Sequence, residues 1–91
     1  MKATKIKMNS GCSSSNNLLE IEYIYLKGCL NEGYYHKSII YDFLKNSTDI
    51  IQVDIYPYPK LQPMISQNGE KYVRSEPDYT GKDNLLNLPK T

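Results

Sequence analysis

Leu18-Leu19-Glu20-Ile21-Glu22-Tyr23-Ile24-Tyr25-Leu26-Lys27 alternates residue by residue, and its two sides are unlike each other. Leu19, Ile21, Tyr23 and Tyr25 fall on one side, while Glu20 and Glu22 share the other with Ile24 and Leu26. A period of two over this length predicts a strand. Because the polar side ends in a second apolar patch, the strand is expected to lie centrally in a sheet or to bend where its face changes. Upstream, residues 3–8 alternate too, with Thr4, Ile6 and Met8 on one face and Lys5 and Lys7 on the other. The two segments read as strands joined across the polar stretch 9–17, with Glu20 and Glu22 opposite Lys5 and Lys7, a pairing that serves register more than stability.

Downstream, residues 28–33 read as a connection, followed by a helix over 36–45 in which His36, Ile39, Ile40, Phe43 and Leu44 share one stripe. Lys37, Tyr41, Asp42 and Lys45 are assigned to its outer face. A helix of this length needs a sheet to pack against. Residues 49–56 form the next predicted strand, with Ile51, Val53 and Ile55 inward, until Pro57 and Pro59 break the ladder. Asn68-Gly69 between 61–67 and 71–75 predicts a hairpin with a two-residue turn. Residues 75–91 read as a docking tail anchored by Leu85, Leu86 and Leu88. The expectation is one α+β domain over residues 1–91: a mainly antiparallel sheet of about five strands with one short helix packed on one face.

At 91 residues, one core is expected, because dividing the chain leaves each half too small to offset its entropy. An apolar fraction of 40% with 23% charged residues is globular in composition. No apolar run approaches the ~18 residues of a spanning helix, and the Lys-containing start leads into Met8-Asn9-Ser10-Gly11, not a secretory segment, so the expected location is the cytoplasm, away from any membrane. A net charge of +1 argues against sequence-independent coating of DNA.

Cys12 and Cys29 are expected as free thiols, because an intervening strand at ~3.3 Å per residue holds them far beyond disulfide reach. His36 is the only histidine, and neither cysteine has a second soft ligand at zinc spacing, so no metal or cofactor is expected. A Cys29/His36 or Ser38/His36 pair completed by Asp42 can be written down, but spacing alone does not make a nucleophile; His36 reads as a polar helix start. No catalytic residues are assigned, and the chain is expected not to be an enzyme.

The run Lys71-Tyr72-Val73-Arg74-Ser75, followed by Pro77-Asp78, Thr80, Asp83-Asn84-Leu85 and Leu88-Pro89, resembles the closing signature of domain-of-unknown-function family 3892. That family consists of small bacterial proteins. The resemblance implies a small α+β domain of bacterial or phage origin and no assigned activity.

Arg74, the only arginine, precedes Asp78 and Asp83 and is read as a clasp fastening the tail through those carboxylates. Nine tyrosines, with no Trp and one Phe, give the leading functional reading: a non-catalytic protein-interaction module presenting Tyr34, Tyr35, Tyr56, Tyr58 and Tyr79 to an unknown protein partner or to a second copy as a homodimer. The alternative is binding of single-stranded nucleic acid or a nucleotide, with tyrosines as stacking platforms and Lys5, Lys7, Lys60, Lys71 and Arg74 as phosphate contacts. The near-neutral charge disfavours that alternative.

Overall fold

A computed structural model describes residues 1–12, 14–15, 17–76 and 83–90. Its fold is α+β. Strands β1 (Lys2–Met8), β2 (Ile21–Lys27), β3 (Gly33–His36) and β4 (Gln52–Val53) form one sheet in the order β3-β2-β1-β4. β5 (Leu61–Ile65) and β6 (Lys71–Ser75) form a separate antiparallel pair. Helix α1 (Lys37–Asn46) packs against β2 and β3 and against β5 and β6. One contiguous core joins these layers, with Ile6, Ile24, Ile40, Ile51 and Val73 among its buried members.

β2 is central, as its doubly apolar pattern required, and it changes face midway. Lys7 pairs with Tyr23 but Met8 with Ile21, so Glu22 is an extra residue, and the core side becomes Ile21, Ile24 and Leu26. The bulge breaks the strict alternation that assigned Ile21, Tyr23 and Tyr25 to one side. A second irregularity, between Ala3 and Lys5, puts Ala3 in the core in place of Thr4, whose Oγ1 is buried without a hydrogen-bond partner among the described residues. The expected Glu–Lys ladder is thereby replaced: Lys5 and Lys7 stand opposite Tyr25 and Tyr23.

Residues 18–20 are a 3-10 turn capped by the Asn17 side chain, not the first residues of the strand. The 28–33 connection is shorter than expected and gives way to β3, antiparallel to β2. Only Gln52–Val53 of the 49–56 strand is regular, and it runs parallel to β1. Its far edge is occupied by hydrogen bonds from Val53 N–H to the Pro59 carbonyl and from Leu61 N–H to the Ile51 carbonyl, which shortens it.

The helix is rotated from its expected orientation. Lys37, Ile40 and Tyr41 are buried and Ile39 is 55% exposed. Lys37 tolerates burial because its ammonium donates to the Leu19 carbonyl and to Glu70, while its alkyl stem packs inward. The hairpin between β5 and β6 closes through Ser66 N–H to the Glu70 carbonyl, with Gly69 alone at positive φ (81°). A three-residue loop therefore replaces the expected two-residue turn. In the tail, Leu85, Leu86 and Leu88 are buried, and Ile6 N–H donates to the Pro89 carbonyl beside β4.

Candidate functional site

The sheet face opposite the core carries two aligned rows. Lys5, Tyr25 and Tyr34 are register partners across β1, β2 and β3; Lys7, Tyr23 and His36 form the next row. The bulges create this arrangement, because they turn Ile6, Ile24 and Leu26 inward and leave their neighbours outward. Tyr25 and Tyr34 meet edge to face at 5.0 Å, Tyr23 and His36 at 5.5 Å. The Lys5 ammonium lies 4.9 Å from the centre of the Tyr25 ring and the Lys7 ammonium 6.0 Å from Tyr23. Such pairs are weak at a wet surface, so the lysines remain available to stronger anionic partners.

The face continues along β1. Lys2, on the same side because Ala3 points into the core, holds its ammonium 4.1 Å over the Tyr58 ring, and Lys27 is its register partner on β2. Four lysines are thus gathered with aromatic rings, although the whole chain carries only +1. Glu22, in the bulge, is the acid nearest these rows in sequence. Asp42, Glu70 and Glu32 are engaged elsewhere, with Lys71 at 2.8 Å, with Lys37 and with Gly28 N–H, while Asp54 stands at the Lys2 end of β1, its N–H donating to the Ala3 carbonyl.

Glu20 is also occupied. Hydrogen bonds from the Cys12 thiol and the Ser15 hydroxyl hold its carboxyl below the ordinary value of 4.5. The same bond, with burial and the Glu20 charge, pushes the Cys12 thiol above 9.0. Cys12 is therefore a poor nucleophile that fastens the 9–17 loop. Both cysteines are free. His36 caps α1, its Nδ1 accepting from Ser38 N–H at 3.2 Å and lying 2.9 Å from Ser38 Oγ. The Asp42 that would complete a triad instead holds Lys71, whose ammonium it raises above 10.5.

The tyrosines singled out from sequence do not form one patch. Tyr34 lies on the open sheet face; Tyr35 lies on the other side, its hydroxyl donating to the Asn31 carbonyl. Tyr56 and Tyr58 stand in the loop beside β4, and Tyr79 lies outside the described residues. Tyr25, Tyr34 and Tyr35 belong to strands and not to connections. Of the tail clasp, Asp78 is also outside the described residues, while Asp83 accepts from Ser75 Oγ at 2.7 Å and caps the 3-10 turn Asn84–Asn87 through Leu85 N–H. Arg74 Nε donates to the Ser75 carbonyl. Ser75 is therefore a fastening residue that the arginine-centred reading overlooked.

Sequence reasoning also overlooked Lys2, Lys27 and His36 as members of the open face. Their signal was positional: Lys2 and Lys27 are placed by the bulged β1–β2 register, and His36 only once β3 is recognised as a strand. A separate groove of about 650 Å³ opens between the β2–β3 loop, α1 and the segment before β4, lined by Leu30, Tyr35, Ile39, Phe43, Ile50 and Ile51. Leu30 projects from its lip almost wholly exposed.

Compared with known protein families, residues 3–89 match the family described as Protein of unknown function (DUF3892). The chain belongs to this family. The match takes in the open sheet face from Lys5 onward and the closing run 71–89 of this DUF3892 chain. Searches of curated proteins and of solved structures returned no match to it. Among its described residues, no helix is long and apolar enough to cross a membrane.

Proposed function

We propose that this DUF3892 chain is a non-catalytic, cytoplasmic binder of single-stranded nucleic acid, using the open face of its sheet. The observation that carries the reading is the register of Lys5–Tyr25–Tyr34 beside Lys7–Tyr23–His36. Aromatic rings stack on bases of any sequence, and ammonium groups a few ångströms away meet the phosphates that link those bases. Lysine is depleted in the cores of protein–protein interfaces, so its interleaving with tyrosine favours nucleic acid over a protein partner for this face. The +1 net charge does not oppose the reading once the lysines are seen collected on one side.

Fluorescence anisotropy with a labelled oligothymidine at low salt tests it. Binding should weaken as salt rises, and Tyr25→Leu should reduce affinity about tenfold, in line with the ~1–3 kcal/mol contributed by one stacked base. No binding at low salt, or a Tyr25→Leu variant that binds like the wild type, overturns it.

The groove supports a second reading, self-association. Leu30 and the groove adjoin on one surface, a knob beside a hole, which is the self-complementarity that a two-fold pair requires. Sedimentation over a concentration series should then show a dimer that Leu30→Asp abolishes.

A further inference from the structure

The two rows of the proposed site end at Lys5, and the aromatic and cationic surface continues past them along β1. Tyr56 is 82% exposed, the most solvent-exposed aromatic among the described residues, and Tyr58 is 42% exposed. Their rings sit 6.0 Å apart at 82°, and Lys2 covers one face of Tyr58. The loop that presents them is pinned. Tyr58 N–H donates to the Ile55 carbonyl at 2.7 Å, Gln52 Nε2 donates to the Tyr58 carbonyl at 3.1 Å, and Val53 N–H donates to the Pro59 carbonyl at 2.8 Å. Tyr58 is itself held at φ 60°, a left-handed conformation that a tyrosine rarely adopts, and Pro57 and Pro59 restrict the residues beside it. A core would bury such a ring and a solvated loop would use a smaller residue, so two tyrosines fixed in the open call for a ligand with a flat apolar face.

We propose that Tyr56 and Tyr58, with Lys2, form a second base-stacking subsite, so that a bound single strand runs along β1 from the Lys7 row through the Lys5 row to Lys2. The inference rests on the nucleic-acid reading of the sheet face and adds to it the length and direction of the footprint. Tyr23 and Tyr25 are two residues apart, about 7 Å at ~3.3 Å per residue, which is twice the ~3.4 Å step between stacked bases. Bases on the two rows are thus splayed from each other. Lys2 lies three residues beyond Lys5, a further ~10 Å. An oligonucleotide that covers only the two rows cannot also reach Tyr58, and one a few nucleotides longer can.

A length series of oligothymidines, titrated against the whole chain and followed by quenching of tyrosine emission, separates the two levels of the proposal. Affinity should rise in a step once the oligonucleotide is long enough to reach Tyr58. The double variant Tyr56→Ala/Tyr58→Asn, in which asparagine accepts the left-handed backbone, should lose that step, about tenfold on the long oligonucleotides, and keep wild-type affinity for the short ones. Circular dichroism should show the wild-type fold. A double variant that binds long oligonucleotides as tightly as the wild type overturns the second subsite while leaving the two-row site standing. A wild-type chain that binds no oligonucleotide overturns both.

Discussion

The two faces of the β3-β2-β1-β4 sheet are made from the same strands, yet they share almost no chemistry. One face presents Ala3, Ile6, Ile21, Ile24 and Leu26 to the core; the other presents Lys2, Lys5, Lys7, Tyr23, Tyr25 and His36 to solvent. The residues of the two sets are immediate neighbours in the chain, and the one-residue bulges near Thr4 and Glu22 decide which set each joins. On the core face, side-chain volume is what counts, since close packing leaves no room to relax. On the open face, charge and ring identity count, and His36 also caps α1.

The sharpest way to break this comparison is to truncate adjacent residues. Ile24→Ala should cost about 2–5 kcal/mol in chemical denaturation, because a fully buried isoleucine leaves a cavity. Tyr25→Leu, one residue on, should change stability far less while weakening oligonucleotide binding. If both destabilise equally, the second face is not open. Lys37→Ala comes next. It strips the Leu19 carbonyl of its ammonium partner inside the protein and should cost about 1–3 kcal/mol.

Asp83→Ala removes both the bonds from Ser75 and the cap on Leu85 N–H. A loss of about 1–2 kcal/mol is expected, with amide exchange of Leu85–Leu88 accelerated more than that of β2. On the open face, the double change Lys5→Gln/Lys7→Gln should leave the denaturation midpoint nearly unmoved and lower the salt slope of oligonucleotide binding by about 1.4, from ~0.7 per phosphate contact. The smallest effect is expected from acid. The Glu20 carboxyl is held below 4.5, so its anchoring of the 9–17 loop is complete above that pH and lost as pH falls beneath it. Amide exchange at Cys12 and Ser15 should quicken there while Ile24 stays protected.

Strand β2, the strand β1 before it, the helix, the hairpin around Gly69 and the buried tail leucines were all legible, because each depends on a local period or a turn residue. Three features were not. β3 is only four residues, and Tyr34-Tyr35 at the mouth of a helix gives no period to read. The helix face was misjudged because Ile39 outranks Lys37 in hydrophobicity, whereas only tertiary contact supplies the Leu19 carbonyl and Glu70 that make Lys37 the better inward residue. The part Ser75 plays in holding Asp83 was not foreseen, because a serine at a strand end carries no charge to mark it, while the Asp78 half of the Arg74 clasp lies outside the described residues. Of the residues read as phosphate contacts, Lys5 and Lys7 lie on the open face whereas Lys71 pairs with Asp42, and Lys2, Lys27 and His36 join that face only through register.

The sequence by itself determined that this chain forms an α+β fold with β2 at the centre of its sheet, because alternation, capping and turn chemistry act over a few residues. Only the tertiary structure decided which tyrosines face outward together and which lysines stand beside them. Those choices turn on two bulges and on a parallel strand that arrives from fifty residues away, and no local preference encodes either.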